Sequence, residues 1–333
     1  MRLNYYILII LAPVIIIVTM GLGAKSTRMQ RKIAFDNEIA RKYKAPLAPS
    51  KIVCITLPKC GTHLLVKCIS LFGIPAFSAK YDRTHQPKKM GPRKMKKYKE
   101  IIKSFPPGHF KGEMHTPTMG PLPQHVHQQL LDRTSNLHYY HWVYTTEADQ
   151  LFNENGIANF FIIRDPRAMV VSMAHMIKDG RLGEHADVEA IIWDLIDGRQ
   201  QSFVPWGVTI HNAYPLIWEM GVTQFYKLFL PWMKADKFLT IRFEDLIGSK
   251  GGGPETLQLQ TINAIAQHIG VSLSVEKIVA VRDELFGGST TFREGKIDGW
   301  KKHFTPAMKA AYKKAPGANQ LLIDLGYEKD DQW

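Results

Sequence analysis

Residues 51–69, KIVCITLPKCGTHLLVKCI, bring a lysine, a glycine and a threonine between a β-branched run and an apolar helix pattern. Ile52, Val53 and Ile55 read as a strand buried on both faces, and Leu64, Leu65, Ile69 and Phe72 recur at helical spacing. Gly61 lets backbone approach a ligand closely. The first turn of the following helix presents N–H groups that the helix itself cannot satisfy, its dipole favours negative charge, and Lys59 adds a cation. The chemistry implied is capture of a phosphate or sulfate.

A magnesium-dependent nucleotide loop would read GxxxxGK[ST], with its lysine at the helix start. From Thr56 to His63 there is one glycine, the lysine precedes it, and Cys60 replaces any metal-binding hydroxyl. A second block, ANFFIIRDPRAMVVSMAHMI at 158–177, gives another apolar strand ending at Arg164, with Asp165 as a helix N-cap and Pro166 at the first helical position. Ser172 follows about two turns into that helix, on roughly the side of Arg164. Residues 237–247, KFLTIRFEDLI, give a third buried strand closed by an acidic pair, and 291–305, TFREGKIDGWKKHFT, a basic, aromatic, glycine-broken segment.

In order and spacing these four blocks resemble the PAPS-dependent sulfotransferase family, over roughly residues 51–328. The family's loop YPKSGTTW, which binds the 5′-phosphosulfate, is matched by Leu57-Pro58-Lys59-Cys60-Gly61-Thr62-His63-Leu64. The resemblance implies that Lys59, Cys60, Gly61, Thr62 and His63 bind the donor, and that Arg164 and Ser172 bind its 3′-phosphate. It also implies that Arg293, Glu294 and Gly295 answer the RKG of the closing motif, with Gly299-Trp300-Lys301 and Phe304-Thr305 completing it. His115-Thr116-Pro117 matches the His-x-Pro that carries the base in cytosolic members, while Glu113 offers the carboxylate base that Golgi members often use. Four positions differ from the pattern. Cys60 replaces Ser, Leu64 replaces the Trp beneath the adenine, Glu294 replaces Lys, and Glu113 stands where cytosolic members often have Lys.

The implied reaction moves a sulfuryl group from PAPS (3′-phosphoadenosine 5′-phosphosulfate) to a hydroxyl or amine, releasing 3′-phosphoadenosine 5′-phosphate (PAP). Charge builds on the leaving phosphate oxygen, so Lys59 and the N–H groups of residues 61–63 must meet it. The acceptor proton needs a base near neutrality, which an imidazole supplies; His115 is favoured over Glu113, which would need its pKa raised by burial to serve. No metal is expected, since no HxxxH or CxxC spacing offers one. Two other readings remain: a P-loop-like kinase of a small alcohol, and a catalytically silent, membrane-anchored nucleotide-binding protein.

Strands alternating with helices argue for an α/β fold with a mainly parallel sheet flanked by helices, in one domain over 51–330; the resemblance implies that this is the P-loop-NTPase-like sulfotransferase fold. The expected order is strand 51–57, helix to 72, strand near 109–114, helix about 121–132, strand 158–163 and helix from 166. Helices near 187–197 and 213–234, strand 237–242, two helices between 255 and 286 and a helical tail follow. Residues 5–23 carry no charge and as a helix would be about 28 Å long, so residues 1–24 are expected to be an uncleaved membrane anchor, with 25–50 a basic linker. Lys25, Arg28, Arg31 and Lys32 follow the span and place the domain in the cytoplasm by the positive-inside rule; the Golgi lumen is the alternative. The chain has no Asn-x-Ser/Thr sequon, and its three cysteines cluster around one loop, which also suits a reducing compartment. Net charge is +13, and the Lys80–Lys103 stretch holds ten basic residues against Asp82 and Glu100. An anionic glycan, a lipid headgroup or the membrane surface fits that stretch. Nucleic acid does not, because no binding motif accompanies the charge. The acceptor is left open among lipid, glycan, phenol and peptide.

Overall fold

Strand β1, Ile52–Thr56, is buried at every residue, because helices cover both faces of the sheet it centres. The computed structural model describes residues 51–74, 137–178, 187–197, 214–288 and 292–333. Among the described residues four strands, β1, β2 (Leu137–Tyr140), β3 (Ala158–Ile163) and β4 (Phe238–Arg242), pair in parallel in the order β2-β1-β3-β4. The α/β expectation thus holds. β1 lies between β2 and β3, so the chain reverses its direction of winding there, and in open sheets ligands bind beyond the carboxyl ends of strands at such a point. The register aligns Ile55 with Tyr140 and with Phe161, so β1 and β2 end within one residue of each other and β3 runs slightly further.

Side chains alternate across the sheet and feed two cores. Val53, Ile55, Phe161 and Ile163 pack against α3 (Pro166–Lys178), α4 (Val188–Asp197), α5 (Tyr214–Lys227), α9 (Pro306–Lys314) and α10 (Ala318–Asp324). Ile52, Cys54, Phe160 and Ile162 pack against α1 (Thr62–Ser70), α7 (Glu255–His268) and α8 (Val275–Leu285). Between the two groups in sequence lie α2 (Thr146–Glu154) and the short α6 (Phe243–Ile247). β2 and α2 are elements that sequence reading did not anticipate. The helix expected over 213–234 is divided: Gly221 breaks it with φ 71°, and Phe229 leads into a 3-10 turn, Leu230–Lys234. The strand expected near 109–114, the helix at 121–132, the linker and the anchor lie outside the described residues. Among the described residues no helix is long and apolar enough to cross a membrane.

Candidate active site

β1 empties into a turn in which the Cys60 N–H donates to Leu57 O at 3.2 Å. Lys59 then adopts φ 68° and Gly61 φ 110°. Left-handed backbone is disfavoured for a side-chain-bearing residue, so Lys59 marks local strain of the sort that gathers at ligand sites. At Gly61 a side chain is excluded twice, by φ and by space: a Cβ there would lie 2.7 Å from Phe243 Cδ2 and 3.1 Å from Ile162 Cδ1. Gly61 caps α1, whose Leu64 and Leu65 N–H groups return to its carbonyl. The result is a short concave run of backbone at a helix start, the form of an anion nest. Cys60 contributes backbone only. Its thiol is fully buried against Tyr226 and the Arg164 backbone, and burial pushes its pKa up, so it is neither a cleft contact nor a ready nucleophile.

Arg164, at the carboxyl end of β3, reaches across to this turn. Its Nη1 donates to Lys59 O at 3.2 Å and its Nη2 to Lys296 O at 3.4 Å, while its guanidinium lies 4.2 Å over the Phe243 ring. Tyr226 OH accepts from the Arg164 N–H at 3.1 Å and donates to its carbonyl at 2.8 Å, fixing the backbone from beneath. Burial is the largest influence on the Arg164 pKa and lowers it, and the Glu244 carboxylate opposes that. The guanidinium stays charged all the same. Glu244, from the acidic pair that closes the β4 block, accepts from the Asp165 N–H at 3.0 Å and from Tyr327 OH at 2.9 Å; its own pKa is raised by burial. Asp165 is the cap that the sequence implied, accepting at 2.8 Å from the Arg167 N–H.

Lys59, Gly61, Thr62, His63, Arg164 and Ser172 line one cleft, and Arg293, Glu294 and Gly295 close it from the far end of the chain. Lys67 and Lys296 also border it, so among the described residues five cations face one carboxylate, that of Glu294. Lys67 donates through Nζ to Glu284 O and Gly287 O, which ties α1 to the loop leading towards Phe292. Leu64 lies on the wall, with Leu285 and Phe292 also lining the cleft; Phe292 packs edge-on against Phe286 at 5.1 Å. Among the described residues no cluster of His, Cys, Asp and Glu could hold a metal ion.

His141 is the residue that sequence reading missed. It follows β2 directly, beside the end of β1, and lines the cleft. Its Nδ1 lies 2.8 Å from Thr56 O and 2.9 Å from Thr56 Oγ1. A carbonyl can only accept, so Nδ1 carries the proton, and in the neutral form of the ring the lone pair is on Nε2. Thr56 Oγ1 is in turn 2.7 Å from Thr62 Oγ1, so the imidazole and the start of α1 are held by one hydroxyl. The available signal was Leu137-His138-Tyr139-Tyr140, an aromatic strand run ending at a histidine. His115 and Glu113 lie outside the described residues.

No protein-family model matches the chain, and no curated protein matches it. Among solved structures it is similar to mouse sulfotransferase SULT7A1 complexed with PAP, at 13% identity over 86% of this chain and 90% of that one, with a TM-score of 0.49. It is similar also to retinol dehydratase in complex with androsterone and the inactive cofactor PAP, at 13% identity over 82% of this chain and 81% of that one, with a TM-score of 0.46.

Proposed function

We propose that this chain is a PAPS-dependent sulfotransferase that moves a sulfuryl group to a hydroxyl or amine acceptor and releases PAP. One observation carries the reading: Lys59, Arg164, Ser172 and Arg293, far apart in sequence, line a single cationic cleft. The residues present suit a bisphosphorylated anion. Arg164 Nε is a buried donor with no hydrogen-bond partner among the described residues, and Gly61 leaves a cradle that any Cβ would fill. When bound, PAPS supplies the activated sulfuryl group. Lys59 and the N–H groups of residues 61–63 stabilise the charge that develops on the leaving oxygen. Arg164, Ser172 and Arg293 hold the 3′-phosphate. His141 is the base: its Nε2 takes the acceptor's proton as the new bond from the acceptor oxygen or nitrogen to sulfur forms and the S–O bond to phosphate breaks. It takes the role that sequence reading gave to His115 or Glu113, because its tautomer is set by Thr56 and it stands beside the Lys59 turn. Calorimetry with PAP and with ATP tests the reading. PAP should bind much the tighter, because ATP leaves the 3′-phosphate cations unpaired; equal affinities would overturn it.

The sequence further supports residues 1–24 as an anchor and a cytoplasm-facing domain over 51–330, with the basic stretch at 80–103 beside an anionic surface. Protease protection in sealed vesicles checks the orientation: digestion of the domain from the cytoplasmic side supports it, and protection assigns the domain to the Golgi lumen instead. Labelled PAPS screened over lipid, glycan, phenol and peptide acceptors identifies the acceptor class.

A further inference from the structure

Arg167 stands in the first turn of α3, between Arg164 and Ser172, yet is 2% exposed and does not line the cleft. Its Nε donates to Asp165 Oδ1 at 3.0 Å and its Nη2 to Asp165 Oδ2 at 2.8 Å, while Nη1 pairs with Glu328 Oε1 at 2.5 Å. The same guanidinium lies 4.1 Å from the ring centroid of Trp300 and 4.4 Å from that of Trp333, within cation–π reach of both. Trp300 sits on the 3-10 turn Asp298–Lys302, which ends the segment carrying Arg293, and it lines the cleft. Trp333 is fastened elsewhere: its Nε1 donates to Asn319 Oδ1 at 3.1 Å, its ring takes Lys313 Nζ at 4.9 Å, and Lys313 Nζ also donates to Asp331 O at 2.8 Å. One buried cation thus joins the Ser172 helix, the Arg293 segment and the tail Glu328–Trp333. A buried ion pair is poor evidence for stability, since apolar residues of like volume often serve as well. Its directional contacts instead fix where the three parts sit.

We propose that the tail Glu328–Trp333, acting through Arg167 and Trp300, is a positioning strap that holds the Arg293 segment over Ser172 and so sets affinity for the 3′-phosphate. The inference rests on the reading of the cleft as a PAPS site. The test is calorimetric titration of wild type, Trp333→Ala, Trp333→Phe and Glu328→Gln with PAP and with 5′-AMP, which lacks the 3′-phosphate. Trp333→Ala should weaken PAP by about tenfold, the scale of one desolvated cation–π contact, with 5′-AMP unchanged. Trp333→Phe should recover most of the loss, and in turnover the KM for PAPS should rise while kcat holds. Glu328→Gln repeats the test should Trp333→Ala not fold, with a smaller loss confined to PAP. Unaltered PAP affinity in the folded variants, or equal weakening of PAP and 5′-AMP, overturns the strap while leaving the PAPS site intact. Failure of the wild type to bind PAP removes both.

Discussion

The turn at residues 57–61 and the segment at 292–296 flank the same cleft and are built in opposite ways. The turn is set in the core: Leu57 and Cys60 are fully buried, Gly61 has no room for a methyl group, and the groups it offers are mainly backbone N–H donors at a helix start. The segment is exposed at Phe292, Arg293 and Glu294, offers side chains, and is tethered at a few points. The Ile297 N–H donates to Gly251 O at 3.0 Å, Lys296 Nζ to Lys250 O at 2.7 Å, and Arg164 Nη2 to Lys296 O. Backbone donors fixed by packing need no reorganisation as charge develops, whereas exposed side chains lose entropy on ordering. The turn should therefore govern the rate of transfer, and the segment the affinity for the nucleotide.

The largest expected effect is on the turn's side of that division. His141 is held by Thr56, the last residue of β1, and as the base it should be indispensable to transfer while distant from nucleotide affinity. His141→Ala is expected to lower kcat by about 10²–10⁴-fold with PAP affinity unchanged, the range for general base removal. Steady-state turnover paired with calorimetry checks this. An active His141→Ala with a dead His115→Ala or Glu113→Gln would move the base into residues 75–136.

Lys59→Ala comes next, at about 10²–10³-fold in kcat, the worth of one donor aimed at developing charge, with little change in the KM for PAPS. A variant whose loss falls in KM would place Lys59 with the affinity residues and break the division between turn and segment.

The division also explains what could be read in the chain beforehand. The turn is a local object: a β-branched strand, one glycine and an apolar helix within some twenty residues dictate it. The same holds for Arg164-Asp165-Pro166, where cap and first helical residue are chain neighbours. The left-handed Lys59 was not legible, because lysine has no preference for that conformation. Nor were β2, whose aromatic run is only four residues long, or α2, which buries only Ala148 and Phe152. His141 depended on placing β2 beside β1, and the Tyr226 and Phe243 contacts to Arg164 join residues more than sixty positions apart, which no local pattern encodes.

On the segment's side, Arg293→Ala is expected to weaken PAP by about tenfold to a hundredfold, the range for a hydrogen bond to a charged group, while kcat at saturating PAPS holds. Titration of PAP measures the first and turnover the second. A drop in kcat without a change in PAP affinity would mean that the segment shares in transfer, and the contrast with the turn would disappear.

The smallest effect belongs to Glu294, among the described residues the one carboxylate facing five cations of the cleft, at a position where the resembling family carries lysine. It is exposed, so water and salt screen it, and its repulsion of a bound phosphate should be modest. Glu294→Lys should tighten PAP by about two- to fivefold at low ionic strength and by less at high salt, since screening acts on exposed charges first. A gain that persists at high salt would mean that the side chain meets the phosphate in a desolvated contact, making the segment more like the turn than its exposure implies. No gain at low salt would mean that the carboxylate faces away from the anion, leaving Arg293 as the segment's charge on the nucleotide.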